Sequence, residues 1–303
     1  MAYWIGIDGG GSNLRVAITT DDLTPIATSY GETANPSVIG REACAARIHA
    51  AVHDALKQAG LDYTAIAGVG VGIAGASVAH SEEWLRQILV TILPGVPAAP
   101  SSDAEIALVG ANGERQGVLL WAGTGSAVFG VNAAGQSLQV GGWGYLLGDE
   151  GSSHWIGMCA LQLVVRAADG REVCPPEFAA QILAALALES EAHLIPWLYR
   201  SEQPRTRDIA QLARLVIENA SAGVEVAAKI VEAAAAELTL LCNTAVRRLN
   251  MQTPRIAFAG GLLDNDNFLS THLCYLLDLN QRPMPVYPPV IGAALLAQIM
   301  LKG

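Results

Sequence analysis

Residues 6–18 read GIDGGGSNLRVAI. Three consecutive glycines, Gly9, Gly10 and Gly11, stand between two apolar runs, with Asp8 before them and Ser12 after. The residues just after the glycines decide the fold. A dinucleotide-binding βαβ unit needs a helix directly after its glycine turn, whereas NLRVAITT is β-branched and strand-like. A P-loop needs a lysine after its last glycine. The chain has three lysines, Lys57, Lys229 and Lys302, and none follows a glycine turn. The stretch therefore reads as strand–turn–strand. Its turn carries no Cβ atoms, so backbone N–H groups can converge there on an anion.

YWIGID, LRVAITT and PIATSY read as three strands joined by tight turns. A helix is predicted from about Glu42 to Ala59, with Cys44, Ile48, Val52, Ala55, Leu56 and Ala59 on one face and Gly60 as its stop. IAGVGVGIAG is nearly all apolar, as a strand buried on both faces would be. SEEWLRQILVTIL is a helix with an acidic first turn, and VPAAPSSDA a short strand running into another helix. At GVLLWAGTGSAVFGV the logic of the first block repeats: apolar run, glycine–hydroxyl turn, apolar run. From about Ser152 to Asn250 the pattern is mainly helical. RIAFAGG is one more buried strand ending in glycines, and VIGAALLAQIML a closing helix. This order predicts an α/β protein of two related lobes, residues 1–116 and 117–303, with a ligand cleft between them. The last helix, at about 290–302, is expected to pack back on the first lobe.

Composition narrows the partners. Of 303 residues, 51% are hydrophobic and 15% charged, which suits a large core. The net charge of −10, with no basic run, argues against nucleic-acid or anionic-membrane partners. The longest alanine-rich stretch is broken by Glu225, Lys229, Glu232 and Glu237, so no membrane span is expected. MAYWIGID lacks the basic region of a signal peptide. Five scattered cysteines without a C-x-x-C pair suggest a reducing, cytoplasmic setting. The six histidines show no metal-like spacing and read as surface or core residues.

Three glycine turns in order, DGGG, GTGS (Gly123–Ser126) and AGG (Ala259–Gly261), resemble the two phosphate motifs and the adenosine motif of the actin–hexokinase–Hsp70 ATPase superfamily. Within it the chain is most similar to N-acetylglucosamine kinases and BadF-type ATPases over nearly its whole length. The most specific piece is GGWGYLLGDEGSSHWIG, Gly141–Gly157. The resemblance implies two ribonuclease H-like lobes with an interlobe cleft, and ATP and Mg²⁺ as cofactors.

It also implies residue roles. Asp8 would reach Mg²⁺ through water, as suits a hard cation; on its own it also reads as a strand-end turn former. Gly9, Gly10, Gly11, Ser12 and Asn13 form the first phosphate turn, and Gly123, Thr124 and Gly125 the second. Gly260 and Gly261 admit the nucleotide, with Ala220 of ENASAG at the adenosine pocket; Val224 stands where the family often has Asp. Asn35 of TANPS, Ser126, Gly142, Trp143, Gly144 and Asp149 would meet the sugar. Asp103 matches the carboxylate that binds the sugar hydroxyl and takes its proton; on its own it also reads as a helix N-cap before AEIALVG. Ala127 stands where some members carry a polar residue near the sugar.

The implied reaction is ATP-dependent phosphorylation of an amino sugar, N-acetylglucosamine at its 6-hydroxyl, by a homodimer. Glucosamine is the alternative substrate. A more distant alternative is an ATP-driven electron activator with an iron–sulfur cluster, although the cysteines here lie mainly in apolar helical contexts such as LLCNTAV.

Overall fold

The computed structural model describes residues 2–11, 13–74, 78–199 and 205–302. The first sheet contains β1 (Tyr3–Gly9), β2 (Asn13–Thr19), β3 (Pro25–Glu32), β4 (Ile66–Ile73) and β5 (Ala98–Ser102), in the order β3-β2-β1-β4-β5. β1 to β3 form an antiparallel meander; β4 runs parallel to β1, and β5 parallel to β4. Between and after the strands lie α1 (Pro36–Ile39), α2 (Arg41–Ala59), α3 (Val78–Ile92) and α4 (Asp103–Asn112). The second sheet contains β6 (Gly117–Ala122), β7 (Ser126–Val131), β8 (Ser137–Gly141) and β9 (Ile256–Ala259), in the order β8-β7-β6-β9, with β9 parallel to β6. Between β8 and β9 the chain is helical: α5 (Ser153–Ala168), α6 (Pro176–Ala185), α7 (Leu194–Tyr199), α8 (Thr206–Ser221) and α9 (Glu225–Arg248). α10 (Phe268–Leu276) and α11 (Pro289–Lys302) come after β9.

Each sheet buries both faces. Ile5, Ile7, Val16 and Ile18 enter a core with Ile48 and Val52 of α2 and with Leu85 and Leu89 of α3. The opposite face, with Trp4 and Ala17, packs on Val290, Ile291, Ala294 and Ala297 of α11. On the second sheet, Val118, Leu120 and Val128 enter the helical core, while Leu119, Val131 and Ala257 pack on α4 and α11. Thus α4 and α11 lie between the two sheets. Burying each large aliphatic side chain here contributes roughly 1.5–3 kcal/mol.

The fit of α11 depends on glycine. A Cβ on Gly6 would stand 1.9 Å from the Val290 carbonyl oxygen, and one on Gly70 1.9 Å from that of Ala293. Gly292 in turn lets α11 approach α4, where a Cβ would meet the Ile106 carbonyl oxygen at 2.1 Å.

At the junction of β5 and α4 the N-cap reading of Asp103 needs correction. Ser102 is the cap: it has extended backbone and its hydroxyl accepts the Glu105 N–H. Asp103 is the first helical residue, so its carboxylate is not consumed as the cap.

Candidate active site

The first glycine turn leaves the end of β1. The Gly9 carbonyl accepts the Ala74 N–H (2.8 Å). Thr33 donates its hydroxyl to the Gly10 carbonyl (3.4 Å) and accepts the Asn35 N–H (3.1 Å), so one side chain links the turn to the TANPS segment. Asn35 caps α1 through its side-chain oxygen, which accepts the Ser37 N–H. A Cβ on Gly11 would meet nothing within 4 Å. Asn13, the first residue of β2, is exposed, and Ser12 lies outside the described residues.

Asp8 is mostly buried at the end of β1, and Arg15 stands opposite it in the β1–β2 ladder with its guanidinium 3.9 Å from the carboxylate. Burial raises the Asp8 pKa to about 6; Arg15 pulls it down and the negative charge of Asp103 pushes it further up. The two carboxylates therefore feel each other across the start of the cleft. Asp103 is also raised, by burial, against the lowering effect of the Ala104 N–H, which donates to it at 2.9 Å.

The second turn is braced from below. Gly123 N–H donates to the Gly125 carbonyl, and the start of α5 clamps the turn: Ser153 N–H donates to the Gly123 carbonyl (2.8 Å) and His154 N–H to that of Thr124 (3.3 Å). Thr124 itself is exposed. Ser126 is buried, and its hydroxyl donates to the Glu150 carbonyl (2.7 Å), which ties the turn to the GDEGS segment. The third turn meets the second. A Cβ on Gly260, at φ +94°, would lie 2.4 Å from the Ala122 carbonyl oxygen, and Leu262 N–H donates to that same oxygen. Gly261 is open on its Cβ side.

The loop after β8 is built from left-handed residues. Gly141, Gly142, Gly144 and Gly151 all have positive φ, and so does Asp149 at φ 59°, an unfavourable conformation for a residue with a Cβ. That conformation lays the Asp149 carboxylate against the second turn, where a Cβ on Gly125 would be 2.6 Å from its Oδ2. Trp143 is 75% exposed at the tip of the loop. His154, packed edge-on to Tyr145, lies behind Asp149; burial lowers its pKa and the Asp149 charge partly opposes that.

A pocket of about 280 Å³ collects Asp103, Gly125, Ser126, Gly142 and Asp149 of the predicted residues. This is near the lower end of the ~300–1,000 Å³ usual for small-molecule sites. Asn35, Trp143 and Gly144 do not line it. Ala220 is 2% exposed in the helical core, so the whole residue, backbone included, is almost entirely covered by protein. Sequence reasoning missed Arg15, Trp121, Phe129 and Gln139. Counting back across the first hairpin would have set Arg15 opposite Asp8; the other three line the 280 Å³ pocket. A larger cavity, about 440 Å³, lies behind the loop between α5, α7 and α8, and no carboxylate lines it.

The profile of the BadF/BadG/BcrA/BcrD ATPase family matches residues 5–297, from β1 through both sheets into α11. The chain belongs to that family. Its relatives include an N-acetylmuramic acid/N-acetylglucosamine kinase of Clostridium acetobutylicum, 31% identical over 92% of each chain. An N-acetyl-D-glucosamine kinase of Dictyostelium discoideum is 29% identical over 97% of each. Among solved structures, a candidate N-acetylglucosamine kinase of Chromobacterium violaceum is 28% identical, with a TM-score of 0.71 over 98% of this chain and 99% of that one. For this family member, two mixed α/β sheets with a hairpin at the front of each constitute the actin–hexokinase type of ATPase fold.

Proposed function

We infer that the protein is an amino-sugar kinase that transfers the γ-phosphoryl group of ATP to the 6-hydroxyl of N-acetylglucosamine. The observation that carries this reading is the pocket in which Asp103 and Asp149 converge beside the GTGS turn. A carboxylate accepts hydrogen bonds from neighbouring hydroxyls, so two of them suit a polyol, and a glycine–hydroxyl turn suits a phosphate. The Clostridium and Dictyostelium kinases, aligned over nearly the whole chain, support the same reading.

Phosphoryl transfer is mainly positioning and charge stabilisation. The Gly9–Gly11 and Gly123–Gly125 turns hold the phosphates, and Gly260–Gly261 admit the nucleotide. Asp149 orients the sugar. Asp103 accepts the proton of the attacking hydroxyl as the oxygen–phosphorus bond forms and ADP departs. Asp8 fits a hydrated Mg²⁺: a hard cation favours a carboxylate, and its charge offsets the burial that raises Asp8. When bound, that ion neutralises charge developing on the phosphates.

A homodimer in the cytoplasm completes the proposal. The electron-activator alternative finds no support in the thiols: Cys44, Cys242 and Cys274 are buried in the two cores, with Cys44 donating to the Ala34 carbonyl. The decisive experiment gives the purified protein ATP, Mg²⁺ and a panel of hexoses and amino sugars. ADP release that depends on N-acetylglucosamine is expected; its absence with every amino sugar would sink the reading.

A further inference from the structure

One side chain at the second glycine turn has no part in the phosphoryl-transfer scheme above. On β6 the side chains alternate: Val118 and Leu120 enter the helical core, while Leu119 and Trp121 face α4 and the cleft. The register sets Trp121 between Ala259 of β9 and Ala127 of β7. These small neighbours leave the indole 44% exposed although β6 is an inner strand of its sheet.

The indole lies where transfer has to happen. Its Nε1 is 3.5 Å from the position that a Cβ on Gly123 would take, so its N–H edge stands against the second phosphate turn. The same ring lines the pocket with Asp103 and Asp149. A phosphoryl group passing from a nucleotide on the turn to a hydroxyl held by Asp103 therefore crosses space that the ring borders.

Hydrogen bonding says what the ring can do there. Ser126 donates its hydroxyl to the Glu150 carbonyl, and Gln139 donates its Nε2 to the Gly141 carbonyl. Trp121 Nε1 has no acceptor among the described residues. An indole N–H donates and cannot accept. Sugar hydroxyls need acceptors, which Asp103 and Asp149 supply, whereas a phosphoryl oxygen needs donors. Charge points the same way. Among the described residues, two carboxylates and no lysine or arginine line the pocket. Negative charge arriving beside them is best met by a fixed donor in a site closed to water.

Building on the kinase reading, we propose that Trp121 is a further catalytic residue, whose Nε1–H donates to a non-bridging oxygen of the phosphoryl group in transit. The sugar oxygen bonds to phosphorus, the bond from phosphorus to the ADP oxygen breaks, and the hydroxyl proton goes to Asp103. Trp121 keeps its own proton and stabilises the charge on the group between the two oxygens.

The test is Trp121→Phe, which keeps an aromatic ring and removes the donor. It should lower kcat by about 10 to 100-fold, as expected for one lost hydrogen bond to a charged group. By calorimetry, its affinities for ADP and for N-acetylglucosamine should stay within twofold of wild type, since neither carries the group in transit. ADP with Mg²⁺ and aluminium fluoride, a mimic of that group, should bind weaker by the same factor as kcat. A kcat within twofold of wild type would overturn the proposal, as would a loss of ADP or sugar affinity large enough to account for the fall. A second measurement needs no variant. One of the six indole N–H resonances of the ¹⁵N-labelled wild type should move downfield with ADP and aluminium fluoride and not with ADP alone; no such shift would overturn the proposal. A shift and tight aluminium fluoride binding without turnover of any amino sugar would support the donor and overturn the kinase reading. Sugar-dependent turnover that Trp121→Phe leaves unchanged would do the reverse.

Discussion

Gly6 and Gly11 lie on the same short stretch, one in strand β1 and one in the turn after it, and they are glycines for opposite reasons. Gly6 is walled in: α11 passes so closely that any side chain would collide with the Val290 carbonyl. Gly11 faces open space and has no left-handed backbone, so nothing in the folded protein requires it to lack a Cβ. The same contrast separates Gly70 and Gly292, closed in by backbone, from Gly261, which is open. The first group is explained by packing alone. The second is explained when a ligand comes as close to the backbone as α11 comes to Gly6.

The contrast can be broken by substitution, and the largest effect belongs to a residue of the site. Asp103→Asn should lower kcat by about 10² to 10⁴, the range for a positioned general base, with a melting temperature at neutral pH that does not fall, since burial disfavours the charge it removes. A fall in stability of comparable size would put Asp103 with the packing residues instead. Gly6→Ala should do the converse. It should cost about 3 kcal/mol or more through overpacking, visible in denaturant unfolding as a lower midpoint or as insoluble protein. Near-native stability there would remove the basis for the comparison.

Asp8→Asn sharpens it further, because here site and fold pull in opposite directions. The folded protein holds the Asp8 pKa at about 6, above its ordinary value of 3.8. Between those values the native state binds more protons than the unfolded chain, so stability falls as pH rises from about 4 to 6 and stays lower above. Removing the charge at pH 8 should therefore raise stability by about 1–3 kcal/mol while reducing turnover. Loss of both would refute the burial argument. Gly11→Ala is expected to weaken ATP binding about tenfold, equivalent to about 1.4 kcal/mol, with no change in melting temperature; equal ATP affinity would make the glycine incidental. The smallest expected effect is on the pH profile. On the proposed roles Asp8 acts ionised, so kcat/KM should climb with pH through about 6 and then level off. A profile flat from pH 5 to 8 would contradict this.

The features legible in the sequence were local. Glycines flanked by apolar runs announce strand–turn–strand, and the missing lysine points to a second turn, so DGGG, GTGS and AGG could be found by inspection. The hidden features depend on distant partners. Whether Ser102 or Asp103 caps α4 turns on the backbone angle at the end of β5, which no residue type dictates. Nothing in the local sequence around Ser126 shows that its hydroxyl donates to the Glu150 carbonyl, 24 residues away. Trp121 sits in GVLLWA, a run apolar on both faces, so periodicity cannot say which side meets α4 and the cleft. The burial of Ala220 comes from how α8 packs in the helical core, and its helix-end sequence carries no trace of that.

The position of α11 has a consequence for how the molecule is made. Its last turn reaches the turn between β2 and β3, where Lys302 Nζ donates to Asp21 at 2.9 Å across 281 residues of chain, and stands over the Trp4 ring of β1. The five strands of the first sheet are complete in sequence by Ser102, yet one face of that sheet stays uncovered until Pro289–Lys302 arrive. Contacts between such distant segments slow folding. During synthesis the earliest strands therefore wait, with an apolar face exposed, for some of the last residues of the chain. The order in which residues leave the ribosome is not the order in which the first sheet is finished.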